Sequence, residues 1–288
     1  MTVTVNGQAL ETGARSLFAL VPDHAGKVVI LNGFQAADDL PLAEGDRVTV
    51  IEKGVLPPQD ILEDMMASRH SPGVFEKVKQ ARVGIAGLGG LGSHIAFALA
   101  RTGVGHLHLV DFDTVEPSNL NRQCYRICDL GKPKAQALAE QLMEVNPYLS
   151  ITADCVRMTQ DNAASLFSGE PIVCEAFDAP DAKAILIDAV LSACPDHVVV
   201  AASGMAGYDS CNDICTRRVT SRLYLCGDGK TAARPGCGLM APRVSVCAGH
   251  QANMVLRLIL GEPSPQIFRQ NFKFSNARSV LNHDDSNE

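Results

Sequence analysis

The sequence predicts an α/β protein with a Rossmann-like, doubly wound and mainly parallel sheet, preceded by a small N-terminal β-grasp unit. Three observations lead to this fold class. From Ala81 onward, short apolar stretches alternate with stretches of helical period, as in parallel strands joined by helices. The motif "GLGGLG" at residues 87–92 joins one apolar stretch to the next helix. The first 53 residues instead carry mostly strand-like alternation.

The N-terminal unit is predicted to contain strands, a short helix and turns. The stretch "TVTVN" alternates as a strand does, "GQ" is expected to turn, and "ARSLFALV" has a short helical pattern. "KVVILNG" is typical of a buried strand that ends at a glycine, and "EGDRVTVIEK" of a turn followed by an alternating strand. This order predicts a β-grasp domain over residues 1–53.

A linker is predicted at residues 54–60, because two prolines in "KGVLPPQ" interrupt regular structure. A helix is expected to begin at Asp60, in "DILEDMMASRH". Residues 61–288 are assigned to the second domain.

Strands and helices alternate through the second domain. The predicted strands are "ARVGIAG", "HLHLVDFD", "LSITADC", "PIVCEAFD" and "HVVVAAS", and the predicted helices are "SHIAFALARTG", "PKAQALAEQLMEVN" and "DAKAILIDAVLSA". Further on, "SCNDICTRRV" and "RLYLC" are expected to form antiparallel strands. The stretch "RVSVCAGHQANMVLRLILGE" is expected to form a long apolar helix that ends at Gly261.

Bulk properties exclude several classes of protein. The 288 residues are 46% apolar, which is enough for one large domain and a small one. The formal net charge is −7 and the Lys and Arg residues are scattered, so neither nucleic acid nor an acidic membrane is an expected partner. Neither an export signal nor an apolar run of spanning length is apparent, which predicts a cytoplasmic protein.

The glycine turn predicts a nucleotide site. Gly87, Gly89 and Gly92 fit the pattern G-x-G-x-x-G, which permits a tight turn, close approach of backbone to phosphate and close packing of helix on strand. Asp111 follows 24 residues after Gly87, at the end of the next strand, where an acid can bind ribose hydroxyls. In the alternative interpretation the glycines only pack helix on strand and the aspartate only caps a turn.

The segment after the second strand separates nucleotidyl transfer from hydride transfer. "DFDTVEPSNLNRQCY" and "GKPKA" place Arg122 and Lys134 close to the expected phosphates. Transfer of a nucleotidyl group needs cations around a developing polyphosphate charge, whereas a nicotinamide site needs few fixed cations. Either residue could instead be an ordinary surface cation. However, a lysine in the first turn of a helix opposes the helix dipole, which favours a functional role for Lys134.

These motifs carry a family resemblance. The combination of "GLGGLGSHIA", "VDFDTVEPSNLNRQ", "KPKA", "CEAFDAPDAK" and "GLMAPRVSVCAGHQA" resembles the ThiF/MoeB/HesA family, relatives of the ubiquitin-activating enzymes, over most of residues 62–265. The resemblance implies adenylation of the C-terminal glycine carboxylate of a ubiquitin-like sulfur carrier, with Mg-ATP as substrate and pyrophosphate as product. It also implies a homodimer.

The resemblance assigns roles to individual residues. It implies that Asp111 holds the ribose, that Arg122 contacts phosphate, and that Lys134 neutralises charge as the carboxylate attacks. It also implies a Mg²⁺-binding role for Asp178, although Ala179 stands where the family more often has asparagine. The implied nucleotide-binding set is Gly87, Gly89, Gly90, Gly92, Asp111, Asn119, Arg122 and Lys134.

Three features of the family are less clear in this chain. Arg69 lies where relatives carry an arginine that reaches into the partner subunit's site, but the spacing to the first strand is shorter, which favours a surface role. Cys226 lies in a region where some relatives use a cysteine in sulfur transfer, and a packed thiol is the alternative. The family's zinc-binding C-x-x-C pairs are absent from the ten cysteines, so zinc is not expected.

Residues 1–53 resemble a ThiS-like carrier domain but lack its terminal Gly-Gly, since "IEKGVLPPQ" continues into the next domain. The substrate is therefore expected to be a separate ThiS-type carrier, with the thiazole half of thiamine as the expected pathway. A molybdopterin-type carrier is the nearest alternative. A nicotinamide-dependent oxidoreductase and a non-catalytic carrier-binding scaffold are alternatives of another class.

Overall fold

The computed structural model describes residues 1–262, and their fold confirms the predicted class. Two sheets are present in the described chain, one of five strands and one of seven. The N-terminal elements are β1 (Thr2–Val5), β2 (Gln8–Glu11), α1 (Leu17–Leu20), β3 (Val28–Leu31), β4 (Phe34–Gln35) and β5 (Arg47–Ile51).

The five-stranded sheet has the order β2-β1-β5-β3-β4. Its central pair, β1 and β5, is parallel, and the remaining pairs are antiparallel. Helix α1 covers one face, where Leu17, Val21, Val29 and Val48 form a small core. This arrangement agrees with the predicted β-grasp unit.

Two strands of this unit were not expected from the sequence. The turn after β1 is Asn6-Gly7 rather than Gly7-Gln8, and it leads directly into β2. Asn32-Gly33 connects β3 to β4 in the same way. All four residues have positive φ, the conformation of a two-residue hairpin turn that Asn-Gly favours.

The N-terminal unit packs on the first helix of the second domain. That domain contains α2 (Gln59–Ala67), α3 (Val74–Gln80), β6 (Arg82–Ala86), α4 (Gly90–Thr102), β7 (His106–Val110), α5 (Lys134–Val145), β8 (Ser150–Asp154), α6 (Ala163–Leu166), β9 (Ile172–Glu175), α7 (Pro180–Ala193), β10 (Val198–Ala202), β11 (Cys215–Arg218), β12 (Leu223–Gly227) and α8 (Ala241–Leu260). Arg47 of β5 pairs with Asp64 of α2. Helix α2 begins at Gln59, one residue before the predicted Asp60.

The seven-stranded sheet has the order β11-β12-β10-β9-β6-β7-β8, and every neighbouring pair is parallel except β11 with β12. From β6 the chain winds outward through β7 to β8, then returns to β9 on the other side of β6. This reversal of direction opens a crevice at the carboxyl ends of β6 and β9, where ligands of doubly wound sheets bind.

Helices cover both faces of this sheet. Helices α3, α4, α5 and α8 bury the larger core, and α6 and α7 bury the smaller one. Helix α8 ends at Gly261 with φ +83°, as predicted for a left-handed glycine cap. The expected antiparallel pairing of β11 and β12 is confirmed, but Cys211–Asp213 forms a 3₁₀ turn instead of the start of that strand.

Candidate nucleotide site

A cavity of about 690 Å³ opens at the carboxyl ends of the central strands. Its walls come from the segments that follow β6, β7, β8, β9 and β10, together with parts of α5 and α7, residues 231–233 and the first turn of α8. The predicted site residues that line it are Gly87, Gly89, Gly90, Asp111, Arg122, Lys134 and Asp178. Because these residues come from five separate segments, the fold itself brings them together.

The glycine turn joins β6 to α4 under tight steric limits. Gly87 has φ +87°, and a Cβ there would lie 2.9 Å from Cδ1 of Phe177. A Cβ on Gly92 would lie 1.9 Å from the carbonyl oxygen of Gly87. Gly87 is therefore required by its backbone conformation and Gly92 by helix–strand packing, as the motif predicts. Gly92 itself does not line the cavity.

Asp111 fixes the glycine turn to the end of β7. Its Oδ2 accepts a 2.7 Å hydrogen bond from the amide of Leu88, and its Oδ1 accepts a 2.8 Å bond from the amide of Asp113. The side chain is buried, and burial raises the pKa of Asp111 while these two amides oppose the rise. The turn-capping interpretation is thus realised. Each oxygen keeps a second lone pair that a sugar hydroxyl could reach.

Lys134 is a buried cation in the first turn of α5. Its side chain is 8% exposed, and its Nζ lies 3.1 Å from Oδ2 of Asp113, whose own side chain is 49% exposed. The backbone amide of Lys134 also donates to the carbonyl oxygen of Asp113, at 2.9 Å. An anionic ligand in the cavity would meet the lysine beside the half-exposed carboxylate of Asp113.

Arg122 lacks a carboxylate partner among the described residues. Its Nη1 donates to the carbonyl oxygen of Ser118 at 3.1 Å and to Oδ1 of Asn121 at 2.9 Å. Its Nε is buried without a hydrogen-bond partner in the described part of the chain. A guanidinium with unused donors at a cavity wall is suited to bind phosphate.

Asn119 has a local structural role. Its Oδ1 accepts a 3.1 Å hydrogen bond from the amide of Glu116, which closes a capping box around the 3₁₀ turn Pro117–Asn119. The side chain is buried and does not line the cavity. Asn119 thus shapes the segment that presents Arg122, and its contact with nucleotide stays a prediction.

Asp178 lies exposed at the cavity wall, between β9 and α7. Within residues 1–262, no cluster of three or more His, Cys, Asp or Glu side chains could hold a metal ion. Mg²⁺ is commonly held by one or two carboxylates together with substrate phosphates. A single carboxylate such as Asp178 therefore fits a Mg²⁺ site that a bound nucleotide completes.

A buried ion pair beside Asp178 was not predicted. Glu175 is fully buried at the end of β9, and Nζ of Lys183 lies 2.9 Å and 3.0 Å from its two carboxylate oxygens. Oε1 of Glu175 also accepts a 2.7 Å bond from the amide of Phe177, which fixes the segment that carries Asp178. Burial raises the pKa of Glu175, and Lys183 opposes the rise. The only sequence signal was a glutamate at a strand end with a lysine eight residues later.

A second unpredicted pair also lines the cavity. The guanidinium of Arg157 stacks on the ring of Phe112 at 3.7 Å from the ring centroid, and both residues line the cavity. A stacked cation–aromatic pair offers a flat surface on which a nucleobase could lie.

Cys226 and Arg69 lie away from this cavity. Cys226 is fully buried, and burial raises its pKa to about 11, with a partial opposing effect from the hydroxyl of Thr216. The alternative of a packed thiol therefore describes Cys226. Arg69 is exposed just after α2 and does not line the cavity. Among the described helices none combines the length and apolarity required to cross a bilayer.

Comparison with known sequences identifies both parts of the chain. Residues 63–284 match the ThiF family, and residues 1–54 match the ThiS-like ubiquitin family. The molybdopterin-synthase adenylyltransferase of Salmonella typhimurium is 34% identical over 198 residues, which cover 66% of this chain and 78% of that protein. An adenylyltransferase and sulfurtransferase, UBA4 of Yarrowia lipolytica, is 32% identical over 197 residues. That match covers 64% of this chain and only 47% of the longer relative.

Solved structures show the same fold. The tRNA N6-threonylcarbamoyladenosine dehydratase of E. coli, in complex with ATP, superimposes with a TM-score of 0.64 at 22% identity, covering 72% of this chain and 98% of the other. E. coli MccB with ATP superimposes with a TM-score of 0.51 at 24% identity, covering 67% and 59%. Residues 63–284 match the family, and one crevice gathers the glycine turn, Asp111, Arg122 and Lys134. The chain therefore belongs to the ThiF family.

Proposed function

We propose that the protein adenylates the C-terminal glycine carboxylate of a separate ubiquitin-like sulfur carrier, consuming ATP and releasing pyrophosphate. The observation that carries this proposal is the single cavity that gathers the glycine turn, Asp111, Arg122 and Lys134 at the reversal of the sheet. A scaffold without chemistry has no use for a buried lysine and an arginine with unused donors at the same crevice. The names of the Salmonella and Yarrowia relatives support the same reaction class.

The residues can perform this reaction by electrostatics. The carrier carboxylate is already ionised at neutral pH, so its attack on the α-phosphate requires no general base. The obstacle is repulsion between two anions, which fixed cations reduce by stabilising the charge that develops on the phosphate. Arg122 would bind phosphate oxygens through its unused donors, and Lys134 would exchange Asp113 for the phosphate.

Asp178 is the residue that would hold Mg²⁺. When bound, the ion would neutralise phosphate charge. The chain fixes the position of this carboxylate. Phe177 directly precedes Asp178, and its amide donates a hydrogen bond to buried Glu175. The stacked pair of Phe112 and Arg157 would form another part of the cavity wall.

The resemblance of the N-terminal unit to a ThiS-like domain favours a carrier of the ThiS type as substrate. Its lack of a free C-terminus favours a carrier that is a separate protein. After β5 the chain runs without an end through Gly54 into α2, so residues 1–53 present no glycine carboxylate. We assign them a docking or regulatory role, with residues 54–60 as the linker and 61–288 as the adenylating domain. Thiamine thiazole synthesis is the proposed pathway. The molybdopterin-type carrier is the second candidate, favoured by the name of the Salmonella relative. A homodimer is proposed as the active form.

Exchange of pyrophosphate into ATP, measured with Mg²⁺ and a purified carrier ending in Gly-Gly, tests the proposal. Lys134→Ala is expected to lower exchange at least ~100-fold, as for loss of one stabilising donor in a water-excluded site. Lys132→Ala is the matched control, because this nearby lysine pairs with Glu140 at the surface.

A ThiS-type and a molybdopterin-type carrier tested in parallel would decide between the two candidates. Equal exchange by Lys134→Ala and wild-type protein would refute the assigned role of that lysine. Absence of exchange with either carrier, in folded protein that binds ATP, would refute carrier adenylation. Binding of reduced nicotinamide cofactor instead of ATP would favour an oxidoreductase.

A further inference from the structure

A hydrogen-bonded row of three side chains lies next to the nucleotide cavity without lining it. Sγ of Cys124 lies 3.2 Å from Nδ1 of His94, and Nε2 of the same ring lies 3.3 Å from Oγ of Ser245. Cys124 follows the segment that presents Arg122, while His94 and Ser245 come from α4 and α8. A thiol, an imidazole and a hydroxyl in this order form the general arrangement of an activated nucleophile.

The hydroxyl of Ser245 lies within hydrogen-bond distance of two groups. Its Oγ is 2.8 Å from the carbonyl oxygen of Ala241 and 3.3 Å from Nε2 of His94. When its single proton goes to that carbonyl, the hydroxyl accepts from Nε2–H, and the lone pair of Nδ1 then faces Cys124. In this tautomer the thiol donates to Nδ1, and His94 is oriented as its base.

The resting pair is neutral. Burial raises the pKa of Cys124 and lowers that of His94, with small opposing effects from Ser93 and the backbone of Arg122. At neutral pH the imidazole is therefore unprotonated and free to accept the thiol proton during attack. Cys124, His94 and Ser245 are each partly exposed to solvent.

Cys124 is also coupled to the glycine turn. Its backbone amide donates to Oγ of Ser93 at 3.2 Å, and that hydroxyl donates to the carbonyl oxygen of Gly89 at 2.7 Å. The preceding residue, Gln123, lines the cavity, with its Nε2 3.6 Å from the position that a Cβ on Gly89 would take. Displacement of Cys124 must therefore disturb the turn and the adjacent Arg122.

We propose that Cys124 is a modification site for small α,β-unsaturated carbonyl compounds, with His94 as the general base, and that the adduct disables the nucleotide site. In the addition, the sulfur forms a bond to the β-carbon as the carbon–carbon π bond breaks. The thiol proton passes to Nδ1 of His94 and then to the α-carbon, so no further reactant is needed. The consequence for nucleotide rests on the proposed function, whereas the reactivity of Cys124 does not.

The probe is N-ethylmaleimide, a compound of this class, applied to the full chain. Labelling rates at Cys124 are measured by peptide mapping, with the exposed Cys128 and Cys155 as internal references. His94→Gln keeps a side chain of similar size without the base. We expect it to slow labelling of Cys124 at least tenfold and to leave both references unchanged, as for loss of general-base assistance. Ser245→Ala removes the hydroxyl that favours the Nε2–H tautomer of His94, and it is expected to slow the labelling of Cys124 as well.

Nucleotide binding provides the second readout. Saturating ATP is expected to slow labelling of Cys124, and complete labelling is expected to weaken ATP binding at least tenfold. The Cys124→Ser variant should bind ATP normally before and after treatment, although Cys128 and Cys155 still react.

Unchanged labelling of Cys124 in both His94→Gln and Ser245→Ala would overturn the role of the base. An equal loss of ATP binding in treated Cys124→Ser would overturn the assignment of the site. If untreated protein failed to bind ATP, the proposed function would be refuted, while the labelling rates would still decide the reactivity of Cys124.

Discussion

The pair of Glu175 and Lys183 makes a quantitative prediction about stability. Lys183→Met removes the cation but keeps a side chain of similar length, and leaves a carboxylate without its charge partner in a fully buried position. Removing one member of a buried ion pair costs about 3–5 kcal/mol. With a urea slope of about 3 kcal/mol per molar, a loss of ~3 kcal/mol would lower the unfolding midpoint by about 1 M.

The deficit should depend on pH. Burial already raises the pKa of Glu175 above 4.5, so this residue contributes stability that is fully present below that value and lost as the pH rises through the folded pKa. Without Lys183 the folded pKa rises further, and the protonated carboxyl group persists to higher pH. The deficit of Lys183→Met relative to wild type is therefore largest at pH 8 and shrinks toward pH 5, by at most about 1.4 kcal/mol per pH unit.

Urea unfolding followed by far-ultraviolet circular dichroism at pH 5 and pH 8 measures this dependence, since the chain has no tryptophan for fluorescence. Lys27→Met is the control, because both of its partners, Asp23 and Glu52, are exposed and such pairs contribute little. A deficit below about 1 kcal/mol at pH 8, far under the range for a broken buried pair, would refute the reasoning. A deficit of equal size at both pH values would do the same.

Two further predictions concern the turn and the metal. Gly92→Ala should weaken ATP binding at least tenfold and destabilise the fold by about 1–3 kcal/mol, because the new Cβ would meet the backbone of Gly87. Calorimetry measures both effects, and Gly249→Ala is the control because open space surrounds that position. Asp178→Asn should raise the Mg²⁺ concentration for half-maximal pyrophosphate exchange at least tenfold. Asp181→Asn, an exposed neighbour outside the cavity, should not, and an equal shift in both variants would contradict the assignment.

The sequence predicted the central sheet well, because buried parallel strands have a clear local signature. Strands β6, β7, β9 and β10 are short apolar runs in the order expected along the chain, and the first three lead into helices α4, α5 and α7. Strands β2 and β4 were missed because all their residues are exposed, which removes the apolar alternation on which strand prediction depends. The Asn-Gly turns before them were the remaining signal.

At the site, residues carried by contiguous motifs were predicted and residues paired across elements were not. The glycines, Asp111, Arg122 and Lys134 each belong to a motif that can be recognised in one segment. The pairing of Glu175 with Lys183 depends on the angle between β9 and α7, and the stacking of Arg157 on Phe112 depends on neighbouring strands. Neither pairing can be derived from local spacing. Burial of Cys226 also depends on tertiary packing, here against α8 and the hydroxyl of Thr216.

The double anchoring of Asp111 has a consequence for the energetics of ligand binding. Both carboxylate oxygens are held by backbone amides before any nucleotide arrives, so the side chain and the glycine turn lose their conformational freedom when the chain folds. Binding then requires little additional ordering of this wall. Preorganisation of this kind raises affinity without adding a contact, and it makes the carboxyl end of β7 a rigid reference against which the other walls of the cavity can move.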